Sequence, residues 1–235
     1  MRINKYIANA GYCSRRKADE LVDEARVQIN NRIAKKGDEV NENDIVRIDG
    51  EKISKKAVSL EYYLLNKPAK VICSNEDKLG RVTAVSLIKS RKRLFTYGRL
   101  DYMTEGLIII SNDGELYNHI MHPSKKLYKS YIATVDREVM DKDIEILARG
   151  VVIKEEDGTK YRTAPAKVKK LNKKNEVRIA IFEGRNRQVR KMLKTLGYNV
   201  KALKRVKVGD LTLGGLEVGK YRALTSDEIK YLKSL

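Results

Sequence analysis

Tyr97-Gly-Arg-Leu-Asp101-Tyr-Met-Thr-Glu-Gly106-Leu-Ile-Ile-Ile-Ser-Asn-Asp-Gly114 is the stretch on which the reading of this 235-residue chain turns. Leu107–Ile110 is wholly apolar and rich in β-branched side chains, the pattern of a short buried strand. Asp113 is placed to cap a helix that runs through His119 and stops before Pro123. In front of the strand a single carboxylate, Asp101, sits in a loop with Arg99 and Thr104 close by, and two glycines there admit close approach. An Asp in such a loop serves as readily in a cap or an ion pair as in chemistry.

Outward from this stretch the pattern alternates between short strands and short helices. Toward the N-terminus, Ile3, Ile7 and Ala10 share one face of a helix over 3–10 that Gly11 stops. Ser14 can cap a second helix whose Ala18, Leu21, Val22 and Ala25 recur at helical spacing. Short strands follow at 27–29 and 45–48, with a turn at Asp49-Gly50. Residues 54–59 are polar and aperiodic, as in a linker. Strands are expected at 61–66 and 70–74, flanking Lys67-Pro68. Toward the C-terminus the pattern gives a strand over 128–135, a helix near 140–149 stopped by Gly150, and a period-two strand at 177–181. A basic amphipathic helix over 186–196 turns Val189, Met192, Leu193 and Leu196 inward, and Thr225-Ser-Asp-Glu228 is a capping box. Strands outnumber helices without βαβ regularity, so the fold class is α+β with a mainly antiparallel sheet.

Charge narrows the function. The chain carries 50 Lys and Arg against 31 Asp and Glu, a net of +19, which suits a polyanionic partner. The excess is uneven: residues 1–60 hold 13 basic and 10 acidic side chains, residues 61–235 hold 37 and 21. From Glu183 to Lys207 there are nine Lys and Arg and one acid. That window reads as strand end, turn, helix and strand, which would hold its charges in place for phosphates. No apolar stretch is long enough to span a membrane, and no signal peptide is readable. Cys13 and Cys73 form no disulfide framework and fit a reducing cytoplasm. His119 and His122 have no partners to complete a metal site, so no metal is expected.

The central string, Gly98-Arg-Leu-Asp-x-x-Thr-x-Gly-Leu followed by an aliphatic strand and Ser-Asn-Asp-Gly114, resembles the catalytic motif of the RsuA/RluB-type ribosomal RNA pseudouridine synthases. Lys129-Ser-Tyr131 resembles that family's Lys-x-Tyr strand. Glu183-Gly-Arg-Asn-Arg-Gln-Val-Arg190-Lys-Met resembles its third motif, and Lys204-Arg-Val-Lys-Val-Gly209 its closing strand. Arg2-Ile-Asn-Lys-Tyr-Ile-Ala together with Ser14-Arg-Arg-Lys-Ala-Asp is similar to the S4 RNA-binding module that precedes the catalytic domain. The chain departs from these patterns at Ala25 and Asn31, where the S4 module carries Gly, and at Glu105, where a small residue is usual.

The resemblance implies an S4-like α/β module over residues 1–57 and a catalytic domain over 58–235. It implies isomerisation of a uridine in ribosomal RNA, 23S more than 16S, without cofactor or metal; the rival reading is a non-catalytic ribosome assembly factor. Asp101 would be the nucleophile, Arg190 its ion-pair partner, and Tyr131 the residue that stacks on the base and takes the C5 proton. Arg99, Arg185 and Arg187 would grip phosphates or support the loop, and Lys5, Arg15, Arg16 and Lys17 of the S4-like module could meet an RNA backbone. Nothing in the sequence demands more than a monomer.

Overall fold

The computed structural model describes residues 1–53, 59–75, 77 and 79–235. Contacts divide the chain into two compact units, Met1–Leu60 and Glu61–Leu235. The expected boundary between residues 57 and 58, and the 54–58 part of the linker, lie outside the described residues.

In the first unit, α1 (Ile3–Asn9) and α2 (Arg15–Asp23) share a core with β1 (Val27–Ile29), β3 (Val46–Ile48) and β4 (Glu51–Ile53), while β2 (Arg32–Ile33) is exposed. The strands pair antiparallel in the order β2-β1-β3-β4. Ser14 Oγ accepts from Lys17 N at 3.0 Å and closes the first turn of α2. The helix stops at Asp23, so Ala25 is not on its inward face; it is exposed, with φ +56°. Such a conformation favours Gly. In the next turn the left-handed residue is Asn30, also at φ +56°, and not Asn31. Asn30 is held there by its side chain, which accepts from Ile45 N and donates to Asp44, each at 3.0 Å. Asp49 and Gly50 both have positive φ, the requirement of a two-residue hairpin turn between β3 and β4.

The second unit contains β5 (Tyr62–Lys67), β6 (Phe95–Tyr97), β7 (Glu105–Ser111), α3 (Gly114–Met121), β8 (Lys129–Val135), α4 (Asp141–Arg149), β9 (Val152–Lys154) and β10 (Lys160–Arg162). It continues with β11 (Lys167–Lys170), β12 (Glu176–Ile181), α5 (Gln188–Thr195), β13 (Val200–Val208), β14 (Leu211–Thr212), β15 (Tyr221–Ala223) and α6 (Ser226–Ser234). One nine-stranded sheet runs β11-β12-β8-β13-β7-β5-β15, with β14 added to β13 and β6 to β7. β9 and β10 form a separate hairpin. Every pairing in the large sheet is antiparallel except β13 with β7 at its centre, where Lys204 lies opposite Glu105 and Arg205 opposite Gly106. The strand expected over 70–74 does not form; Ile72 makes only an isolated bridge to Thr83.

Two cores hold this sheet. Val177, Ile179, Ala133 and Leu203 pack with Leu147 of α4 and Val189, Met192 and Leu193 of α5. Leu64, Leu107 and Ile109 pack with Leu116 and Ile120 of α3 and Leu232 of α6. The caps read from the sequence are in place: Asp113 accepts from Glu115 N and Leu116 N at 3.0 Å, and Thr225 with Glu228 forms the capping box of α6. α5 starts two residues later than expected because Arg187, at φ +50°, is its N-cap.

Gly106 has a role that no other residue could fill at the centre of the sheet. Its φ is +109°, and a Cβ built there would stand 2.1 Å from the Arg205 carbonyl oxygen and 2.6 Å from the Arg205 nitrogen. The close approach of β7 to β13 therefore requires glycine. That approach sets the Asp101 loop, which leads directly into β7, beside Arg205.

Candidate active site

A cleft of about 380 Å³ opens in the second unit, within the range of sites for a nucleoside-sized ligand. Its walls come from the Asp101 loop, β8, the 184–188 turn and β13. The sequence motifs therefore meet in space: Arg99, Asp101, Tyr131, Arg185 and Arg187 all line it. Asp101 is the one carboxylate among the described lining residues.

The loop that carries Asp101 is fixed on both sides. Leu100 N donates to Cys73 Sγ at 3.3 Å, and Lys70 N donates to Tyr102 O at 2.7 Å. Thr104 N donates to Asp101 O at 3.0 Å and closes the turn. Both outer anchors belong to residues 70–73, a segment that the sequence did not mark as part of the site. The segment is itself stapled by Lys67, whose fully buried ammonium donates to Pro68 O at 2.8 Å and Val71 O at 2.7 Å. Burial pushes the Lys67 pKa below its ordinary value, while nearby Cys73, Glu105 and Asp101 act in the opposite sense. Burial likewise raises the Cys73 thiol.

Among the described residues no side chain hydrogen-bonds or ion-pairs with the Asp101 carboxylate. The expected ion pair with Arg190 is not formed. Arg190 Nη2 donates instead to Met103 O at 3.1 Å and Nη1 to Val200 O at 3.3 Å, because these two carbonyls capture the guanidinium between the loop and β13. Arg190 Nε is buried with no partner among the described residues. Burial and the Arg187 charge lower the Arg190 pKa, and the Asp101 charge opposes them, so the two groups still feel each other electrostatically.

Opposite the loop, Tyr131 projects from β8 with 9% of its surface exposed. Two residues before it on the same strand face, Lys129 also lines the cleft and donates to Phe182 O at 3.3 Å. Burial, and then the Arg205 charge, push the Lys129 pKa down to about 8. Arg205 is buried and donates from Nε to Leu107 O at 2.7 Å. Lys129 and Arg205 are lining residues that the sequence left unassigned within their motifs. Lys129 shares the Tyr131 face of β8, and the β8–β13 register, which pairs Arg205 with Tyr131, brings Arg205 beside it.

The 183–188 turn is built around the one acid of the basic window. Glu183 accepts from Tyr161 Oη at 2.7 Å, Ala164 N at 2.7 Å and Gln188 Nε2 at 2.8 Å. Arg185 stacks over the Tyr161 ring at 3.3 Å and reaches Glu155 at 3.4 Å, so its guanidinium is partly committed to the protein. Arg187 and Arg99 are exposed and have no acidic partner among the described residues. Thr104 Oγ1 is buried with no hydrogen-bond partner among the described residues.

Lys5, Arg15, Arg16 and Lys17 lie in the first unit. Arg15 and Arg16 are exposed, whereas Lys17 is paired with Glu20 at 3.0 Å. α3 ends at Met121, so His122 leaves the helix and its Nδ1 bonds Ser124 at 2.7 Å, away from His119.

The geometry agrees with comparisons to known proteins. Residues 61–195 match the family model described as RNA pseudouridylate synthase, and residues 1–46 match the S4 domain. A protein of Bacillus subtilis (strain 168) named ribosomal large subunit pseudouridine synthase B is 39% identical, over 100% of this chain and 96% of its own length. The dual-specificity RNA pseudouridine synthase RluF of Escherichia coli (strain K12) is 37% identical over 97% of this chain and 77% of its own. A crystal structure titled pseudouridylate synthase superposes with a TM-score of 0.72 at 31% identity, covering 99% of both chains. The chain thus belongs to the RNA pseudouridylate synthase family, as an RsuA/RluB-type member with an S4 domain at its N-terminus.

Proposed function

We propose that this enzyme isomerises a uridine to pseudouridine in the ribosomal RNA of the large subunit, with the Asp101 carboxylate as its reactive group. The observation that carries this reading is Asp101, the lone carboxylate among the described residues of a cleft otherwise lined by arginine, lysine, tyrosine, uncharged polar and apolar residues. In the reaction the N1–C1′ bond breaks, the uracil turns, and a C5–C1′ bond forms. C5 gives up its proton and N1 gains one. Atoms and electrons balance within the nucleotide, so the reaction calls for no cofactor.

The cleft holds one nucleoside, which must leave its stack to enter, at a cost of a few kcal/mol. Tyr131 offers its ring to the flipped base and its hydroxyl to the C5 proton. Asp101 acts at C1′ or C6, or assists a glycal-like species, and each route starts from an ionised carboxylate. The carboxylate stands among cations: Arg205 lines the same cleft, and Arg190 feels the Asp101 charge. Arg99 and Arg187, exposed at the rim, meet the flanking phosphates.

The large-subunit assignment draws on the Bacillus subtilis relative, which this chain matches end to end. Carbodiimide-dependent primer-extension mapping of 23S and 16S transcripts incubated with the enzyme tests it. A new stop confined to 23S is expected. A stop confined to 16S would transfer the substrate to the small subunit. No stop on either RNA, with binding retained, would contradict the reading.

A further inference from the structure

The cleft occupies one side of the catalytic unit, but the half-sheet of β11, β12, β8 and β13 has a second face that its helices leave open. Directly opposed residues on antiparallel strands share a face. Val177, Ile179, Tyr131, Ala133 and Leu203 are buried on the side of α4 and α5. The registers place Lys169 opposite Arg178, Arg178 opposite Ile132 and Ile132 opposite Lys204, one row on the other side. The neighbouring row is Lys167, Ala180, Ser130 and Lys207. Lys167, Lys169 and Arg178 are exposed, and Lys204 and Lys207 are half-exposed.

Most of the charges on this face are left uncompensated by acids. Among the described residues Lys169, Arg178 and Lys204 have no acidic partner within 4.0 Å. Lys207 meets Asp210 at 3.0 Å, and Lys167 lies over the Tyr128 ring at 4.6 Å. The one carboxylate in these four strands is Glu176, which is engaged by Thr134 and Lys173, and the neighbouring β7 brings Glu105 opposite Lys204. On the covered side, by contrast, Lys170 finds Glu138 at 3.2 Å and Lys191 finds Glu155 at 2.6 Å. Lys169 directly opposite Arg178 is a like-charge cross-strand pair, an arrangement that destabilises a sheet. Between the flanking cations the floor is short: Ala180, Ser130 and Ile132. From β11 to β13 is three strand spacings, about 14 Å.

We infer that this open face is a second RNA-binding surface, which grips the phosphate backbone of the substrate outside the segment entering the cleft. It is a shallow trough with Lys167, Lys169 and Arg178 along one rim and Lys204 and Lys207 along the other. A strand of phosphates complements it and relieves the Lys169–Arg178 repulsion. The contact is to backbone, so it adds affinity without reading sequence. The inference rests on the RNA substrate proposed above.

The test compares the full chain with its K169A/R178A variant, and with K173A/K174A, which removes the same charge from the nearby turn. Affinity for full-length 23S transcript is measured by filter binding from 50 to 200 mM KCl. Loss of the face should weaken K169A/R178A about tenfold at 150 mM and flatten the salt slope by about 1 to 2, at roughly 0.7–0.9 per phosphate contact. Tritium release at saturating RNA should keep its kcat, and the melting temperature should not fall. K173A/K174A should stay close to wild type. Unchanged affinity and slope in K169A/R178A would overturn the inference and pass the face to an acidic protein surface. An equal loss in both variants would overturn it too, as general electrostatics. Failure of wild type to modify either rRNA, with these binding differences intact, would instead count against the proposed reaction.

Discussion

In the first unit, cations are bound up with neighbouring acids: Arg26 with Asp49 and Glu24, Arg32 with Asp38, Lys36 with Asp23, and Lys17 with Glu20. Around the cleft of the second unit, Arg99 and Arg187 are exposed without acidic partners among the described residues, and Asp101 is left unpaired beside them. The contrast follows the composition, +3 in residues 1–60 against +16 in residues 61–235. On the proposed function, a module whose charges stabilise its own turns meets RNA mainly by shape, with Arg15 and Arg16 left exposed. A cleft whose rim cations stay unpaired leaves them free for phosphates.

Four variants probe this division, in falling order of expected effect. Asp101→Asn should lower kcat by more than about 10³-fold, the scale for loss of a group acting in the transition state. Its RNA affinity should stay within about threefold of wild type; near-normal turnover would remove the carboxylate from the chemistry. Gly106→Ala puts a methyl group 2.1 Å from the Arg205 carbonyl. It should destabilise the second unit by on the order of 3 kcal/mol or more in urea unfolding. A variant as stable as wild type would mean that β7 and β13 can separate freely. Arg99→Ala with Arg187→Ala should lower kcat/KM by tenfold or more and flatten its salt dependence. Arg15→Ala with Arg16→Ala should raise KM by only about threefold and leave kcat alone. If this pair costs more than the cleft pair, the roles of the two units are reversed.

Lys129 adds a pH dependence to the cleft. Its folded pKa, about 8, lies below the ordinary 10.5. In the folded chain it therefore loses its charge as pH climbs through 8. The strain of burying the ammonium is present below pH 8 and is relieved between about 8 and 10.5, where the unfolded chain still binds the proton. RNA binding moves the other way, since the cleft gives up one positive charge. KM should rise by about two- to fivefold between pH 7 and 9, and Lys129→Met should flatten that rise; an unaltered profile in the variant would assign the titration elsewhere.

Much of this was legible in the sequence where a local rule decides the outcome. Ser14, Asp113 and Thr225 cap the helices they precede, and Leu107–Ile110 is buried to a few per cent or less, as its composition demands. The motif residues at 99, 101, 131, 185 and 187 do converge on one cleft. What stayed hidden depends on contacts between distant strands. The 70–73 segment has strand-like composition, yet its backbone bonds go to Tyr102, Val82 and Ala84 in place of a strand partner, and its Cys73 thiol anchors the Asp101 loop. Lys67 and Arg205 are both buried where β5 and β13 pair with β7 at Gly106, the latter in parallel, an arrangement that no periodicity signals. Arg190 reaches two carbonyls before it reaches Asp101, a choice set by ångström-scale loop geometry.

The most direct test of the central claim is tritium release from 23S transcript labelled as [5-³H]uridine, with wild type and Asp101→Asn run side by side. Isomerisation must expel the hydrogen at C5, so the count reports the bond exchange itself. The account predicts release by wild type, approaching one tritium per modified site, and none above background from Asp101→Asn despite equal RNA binding. Equal release from both proteins, or none from wild type while it remains bound to the RNA, would contradict it.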